Sequence, residues 1–229
     1  MIKLPHSIGF AATLTALCAA SLSLAASSTS KLDQRLNDAR AVYQELLSSP
    51  DHAVPDALKN KCKCIAVFPH VIKGAIGYGA RYGQGVMSCR GEHGEWSPPS
   101  FVSLTGGSVG FQIGAESTDL VLFFMTERGA RSLMTGSKFT LGGKASVAAG
   151  PLGRSGEAAT DLKLEAEIYS YAKSKGLFAG VSLEGARLAA NNKDNAQFYG
   201  QTISVKQLLF EQQAPVVPEA ANEFRKALP

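Results

Sequence analysis

Glycine recurs inside the stretches of this chain that otherwise have strand character, at Gly74, Gly77, Gly79, Gly110, Gly114 and Gly180. A glycine within a strand marks a bend, a bulge or a place where another backbone comes close. Flat sheets do not tolerate so many. The pattern predicts a strongly curled, glycine-rich antiparallel sheet or a partly closed barrel. The strand-like segments are Ile65 to Phe68, Val71 to Arg81, Gly85 to Arg90, Phe101 to Leu104, Val109 to Gly114, Asp119 to Thr126 and Leu177 to Leu183. Gly83, Gly91 to Gly94 and Gly106-Gly107 are expected as turns between them. Alternation from Leu162 through Leu164 and Ala166 to Ile168 adds a strand with one wet face.

Helical text flanks the sheet. Between Ser30 and Ser48, the residues Leu32, Leu36, Ala39, Val42, Tyr43, Leu46 and Leu47 fall on one arc of about 140°. Lys31 and Arg35 border that arc, with Arg40 just beyond its other edge. This amphipathic helix can lie on the domain core, or in a membrane interface with its basic side chains among headgroups. Short helices are expected after Pro55, from Glu127 to Met134, around Asn191 to Gln197 and from Glu219 to Ala227. The fold class is α+β, with one domain over residues 31–210 and a tail over 211–229.

The first 26 residues have the layout of an export signal. A short positive start is followed by an uncharged run from Ile8 to Ala26 that closes on small residues. Cleavage is expected after Ala25 or Ala26, a retained anchor or lipid attachment at Cys18 being the alternatives. The chain is thus expected in the periplasm or at the outer membrane. Cys62, Cys64 and Cys89 would then meet oxidising conditions. Cys89 should pair with Cys62 or Cys64, whereas a bridge between near neighbours needs unusual geometry.

Composition removes several function classes. With 45% hydrophobic residues the chain is not disordered, and a net charge of +4 on 229 residues is small for a nucleic-acid binder. Gly106-Gly-Ser-Val-Gly110 has the spacing of a hydrolase elbow around Ser108, but no histidine follows it in the sequence. Cys62, Cys64, His70, Cys89 and His93 lack the spacing of a structural zinc site. The pairs Gly77, Gly79 and Gly83, Gly85 are half a dinucleotide fingerprint without the third glycine or the helix. No enzyme, metal or cofactor is expected.

Charge placement is more telling. Between Ala57 and Gly91 stand Lys59, Lys61, Lys63, Lys73, Arg81 and Arg90 with no acid, and Arg128, Arg131, Lys138, Lys144 and Arg154 form a second such stretch. Brought together, they would make a positive surface for anionic headgroups.

Five segments in one order carry a resemblance: Cys64-Ile-Ala-Val-Phe-Pro69, Trp96-Ser-Pro-Pro-Ser-Phe101, Gly110-Phe-Gln-Ile-Gly114, Ala149-Gly-Pro-Leu-Gly-Arg154 and Tyr171-Ala-Lys-Ser-Lys-Gly-Leu-Phe-Ala-Gly180. With the leading helix they cover roughly residues 31–210, and the whole resembles the SYLF domain, also called the Ysc84 type. The resemblance implies a non-enzymatic lipid-binding module. Eukaryotic relatives bind phosphoinositides, with the N-terminal helix implicated, and the yeast type also binds and bundles actin. For an exported chain it implies anionic phospholipid of the envelope rather than cytosolic actin. The candidate lipid-binding set is Lys31, Arg35 and Arg40 in the helix that the resemblance implicates, with Lys59, Lys61, Lys63, Lys73 and Arg81 from the basic stretch that follows it. Exported relatives carry the cysteines matching Cys64 and Cys89, which implies that pairing and leaves Cys62 free. A structural or protein-interaction module is the alternative, with a hydrolase using Ser108 behind it.

Overall fold

The computed structural model describes residues 12–49, 54–76, 78–109, 114–133, 139–143, 145–152, 165–174 and 176–229, with the side chains of the first helix from Ser30 onward. Among these residues nine strands form one sheet: β1 (Cys64–Ile76), β2 (Tyr78–Cys89), β3 (Ser100–Val109), β4 (Gly114–Phe124), β5 (Phe139–Thr140), β6 (Val147–Ala149), β7 (Ile168–Ser174), β8 (Leu177–Gly180) and β9 (Arg187–Ala190). Their spatial order is β5-β9-β3-β2-β1-β4-β7-β6, with β8 paired to β7. Every pairing is antiparallel except β6 with β7, so the sheet is mixed.

The sheet curls into a half-barrel. Its two edges, β5 and β6, are neighbours in sequence and are drawn together by a bridge between Leu141 and Ala145. Phe139, Leu141 and Val147 from those edges join Ala66, Phe68 and Met87 from the centre in one buried cluster, which fills the inner face. Glycine permits this tightness at two places. A Cβ on Gly180 would lie 2.2 Å from the Gly150 carbonyl, and one on Gly150 would enter the Tyr171 ring.

The outer face carries the helices. Helix α1 (Ala12–Ser48) runs unbroken past the expected cleavage site at Ala25 and Ala26. Leu36, Ala39, Tyr43 and Leu46 are fully buried, and Leu32 and Val42 nearly so. They pack on Ile65, Val67, Val86, Phe101 and Phe123 of the outer sheet face. The apolar arc therefore belongs to the core, and the interfacial-membrane alternative for it does not hold. A side chain sealed against a sheet has no free apolar face for lipid.

Helix α2 (Asp56–Lys61) precedes β1, and α3 (Glu127–Ser132) follows β4. Helix α4 (Asn192–Tyr199) is capped by Asn191 and stops at Gly200, whose φ of 70° few other residues adopt. Helix α5 (Val205–Leu209), which sequence reasoning missed, starts at a capping box formed by Ser204 and Gln207. Helix α6 (Glu219–Lys226) lies against α1. Ala221, Phe224 and Leu228 bury there, so this last helix packs on the core.

Two expected turns are strand interior instead. Gly83 lies within β2, and Gly106-Gly107 within β3. Both reflect close packing: a Cβ on Gly83 would meet Val71, and one on Gly106 would meet the Arg81 stem and Ala186. The single strand expected from Val71 to Arg81 is divided, β1 ending at Ile76 and β2 beginning at Tyr78, which pair with each other. Residues 110–113, 134–138, 144 and 153–164 lie outside the described residues. With them go most of the Gly110 to Gly114 and part of the Ala149 to Arg154 segments, Lys138, Lys144, Arg154 and the strand start at Leu162.

Candidate functional site

The register of β1 explains where its functional side chains point. Ile65 and Val67 face α1, while Cys64, Ala66 and Phe68 face inward. Strict alternation would turn Val71 outward. A register shift between Phe68 and Val71 intervenes, where Pro69 offers no N–H to the ladder and His70 adopts φ 55°. The His70 N–H is held by the Asp119 carboxylate at 2.9 Å. Such a bulge reverses the facing of everything beyond it. Val71 and Lys73 therefore face inward and Ile72 outward.

Across the ladder Lys73 pairs with Arg81, and on its other side with Glu116. These three rim a cleft of about 280 Å³ beside the inward-facing ends of β1, β2 and β4. Its walls include Val71, Leu120, Ala172, Val181 and Leu183, with Thr118 and Ser182 between. The Arg81 stem lies over Gly106, the partner opposite it in β3. Burial lowers the Arg81 pKa from its ordinary value, and its Nε–H is sealed from solvent without an acceptor among the described residues.

On the outer face of the same strands lies a second hollow, also about 280 Å³, beside Lys31 to Asp38 of α1. Lys31, Arg35, Asp38, Ile72 and Tyr82 line it. Ile72 and Tyr82 pair across the ladder and are 58% and 50% exposed, unusual for large side chains within a sheet.

The remaining predicted positions scatter. Arg35 donates to Asp194 and to Gln84, each at 2.6 Å, and sits over the Phe101 ring. Arg40 pairs with Glu223 at 3.3 Å and Lys59 with Asp56 at 2.6 Å. Lys61 and Lys63 are exposed at the opposite end of β1, about 30 Å from Lys73 at strand rise. In the second basic stretch, Arg128 pairs with Glu167, and Arg131 pairs with Glu127 and stacks on Phe210. The structure thus unites Lys73 with Arg81, and sets Lys31 and Arg35 in one hollow with Ile72 and Tyr82. It gathers no single surface from all eight. Ile72, Tyr82 and Glu116 were not singled out from sequence; the Pro69-His70 pair inside a strand was the available signal.

Cys64 and Cys89, directly opposite in register, form a disulfide, and Cys62 is a buried free thiol. The bridge removes two of the five soft groups considered for zinc. Ser108 sits within β3 opposite Gly79, not on a strand-to-helix turn, so the elbow geometry a hydrolase needs is not formed.

Comparison with known proteins agrees with the sequence motifs. The pattern of the Ysc84 family, described as "Las17-binding protein actin regulator", matches residues 105–229. The SH3 domain-containing YSC84-like protein 1 of Xenopus laevis is 41% identical over 164 residues, covering 71% of this chain and 49% of the relative. Its human counterpart is 40% identical over 163 residues, covering 71% and 47%. Protein YSC84 of Saccharomyces cerevisiae is 37% identical over 180 residues, covering 78% and 38%. The chain spans about half the length of the vertebrate relatives it matches, and less of the yeast one. With a matched pattern over more than half its residues, the chain belongs to the Ysc84, or SYLF-domain, family.

Proposed function

We propose that this chain is a non-enzymatic binding protein of the cell envelope whose ligand is anionic phospholipid. The observation that carries this reading is the exposed pair Ile72 and Tyr82 beside Lys31 and Arg35 in the outer hollow. Large apolar side chains enter the headgroup boundary, and a cation beside them is attracted by anionic lipid at about 1 kcal/mol per charge. Lys73 and Arg81 bring two more cations to the same end of the sheet. Neither contribution alone gives firm attachment, so the two act together. The envelope location rests on the uncharged run from Ile8 to Ala26 after a basic start.

The second reading is a protein-interaction module. It is favoured by the family description, which names Las17 binding and actin regulation. Co-sedimentation with phosphatidylglycerol vesicles, phosphatidylcholine vesicles and filamentous actin separates the two. The lipid reading expects pelleting with phosphatidylglycerol alone, weaker at high salt because exposed charges are screened. It expects the Ile72→Asp/Tyr82→Ser variant to remain in the supernatant. Pelleting with actin and with neither vesicle would sink the lipid reading and leave the interaction module.

A further inference from the structure

The inward cleft is built differently from the outward apolar pair, and its walls specify a ligand. One rim holds two cations, Lys73 and Arg81, against one carboxylate, Glu116. The floor is aliphatic, from Val71, Leu120, Val181 and Leu183. A free inorganic anion would leave that floor wet, and a neutral hydrocarbon would leave the rim's excess positive charge without a counter-charge. The size narrows it further: about 280 Å³ lies just under the usual range for small-molecule sites, roughly 300–1,000 Å³. That space holds an anionic headgroup and a short run of one acyl chain, so the second chain of a phospholipid stays outside the cleft. Mouths of β-barrels are common places for such sites.

We infer that the cleft between Lys73, Arg81 and Leu183 is a binding site for one anionic amphiphile. Its phosphate lies at Lys73 and Arg81, and the first part of one acyl chain lies on the aliphatic floor. The inference rests on the lipid reading above but asks for more than surface attachment. A single lipid molecule, with no bilayer present, suffices. The Arg81 stem lies over Gly106, which sets its guanidinium at the rim of the cleft before any ligand arrives. A planar guanidinium held in this way recognises a phosphate directionally.

The test is calorimetric titration of the full chain with dihexanoyl phosphatidylglycerol below its micelle concentration, with dihexanoyl phosphatidylcholine and glycerol 3-phosphate as the other arms. The expected result is one-to-one binding of the phosphatidylglycerol, at least tenfold tighter than either of the others. Lys73→Gln/Arg81→Gln should weaken it tenfold or more. Val181→Trp, which fills the apolar end at a partly exposed position, should weaken it similarly while vesicle pelleting is unchanged. Circular dichroism confirms that each variant is folded, and Val181→Phe replaces Val181→Trp if that one is not. Equal binding of glycerol 3-phosphate would reduce the site to an anion site and overturn the inference. Equal binding of the choline lipid would overturn the role of the cations. No binding of the monomeric lipid, with vesicles still pelleting, would overturn the cleft assignment and leave the lipid reading standing. Failure of both would remove both.

Discussion

Arg35 of α1 and Asp194 of α4, 159 positions apart, meet at 2.6 Å with side chains only 15% and 16% exposed. The guanidinium also reaches Gln84 of β2, so one side chain ties the first helix to the late helix and to the sheet. Removing one member of a pair this shielded strands the other in a poorly hydrated place. Arg35→Ala is expected to cost about 2–4 kcal/mol. Arg35→Lys should recover only part, because an ammonium cannot fork to two acceptors. Urea unfolding of Arg35→Ala, Asp194→Asn and the double variant checks this: strong coupling is expected, and simple additivity would show that the contact does not matter.

The bond between Cys64 and Cys89 closes a loop of sequence separation 25 between adjacent strands. In the chain-entropy view, replacing both cysteines with alanine costs about 3 kcal/mol, mostly through the unfolded state. The urea midpoint should fall, and the slope should rise as the unfolded chain expands. Both sulfur-bearing residues are buried, so reductant should act on the folded protein only slowly. An unchanged midpoint in the double variant counts against the bond.

Burial pushes the Cys62 thiol from its ordinary 9.0 up to about 12, the Arg90 charge opposing this in part. Below pH 9 the thiol is neutral whether the chain is folded or not. Above it the unfolded chain releases a proton that the folded chain keeps, so folding stability falls as pH climbs from 9 toward 12. Cys62→Ala should flatten that decline. Iodoacetamide at pH 8 should leave Cys62 unmodified until denaturant is added; rapid labelling of the native protein would contradict its burial.

At the other end of the chain, the Pro229 carbonyl oxygen accepts from Arg90 at 2.7 Å and from the Trp96 indole at 2.6 Å. Arg225 donates to the Trp96 carbonyl, and Leu228 is buried against α1 and its neighbours. Deleting Leu228 and Pro229 removes a buried leucine and leaves two donors unmatched. A loss of about 2–4 kcal/mol is expected, read as a lower thermal midpoint. A midpoint equal to that of the full chain would show that the segment is dispensable.

What the sequence showed and what it hid divides along physical lines. The helical arc from Leu32 to Leu46 was legible because periodicity is local. The curl was legible because strand-interior glycines such as Gly180 weaken a flat sheet and suit a bent one. The facing of Lys73 was not. It depends on the Pro69-His70 bulge, and alternation counted through a bulge gives the wrong face. Gly83 and Gly106 read as turns in the sequence because a glycine's reason, the Val71 methyl or the Arg81 stem, lies on another strand. Arg35 carries no local sign of Asp194 or Gln84: the fold sets it in the outer hollow with Lys31, and its guanidinium is held there by those two partners. The pairing of Cys64 with Cys89 came from resemblance, whereas residue spacing left Cys62 equally open.

The disulfide and the cleft stand at opposite ends of the same two strands, Cys64 with Cys89 at one and Lys73 with Arg81 about 30 Å along. The chain itself joins β1 to β2 at the cleft end, between Ile76 and Tyr78, and the disulfide joins them at the other, so the two strands form one closed covalent ring. Tension at either end cannot peel them apart like a zip. It is passed to the seams with β3 and β4 on either side, which only hydrogen bonds and packing hold. The hairpin therefore behaves as a rigid staple in the sheet, and the sheet yields first at its neighbours.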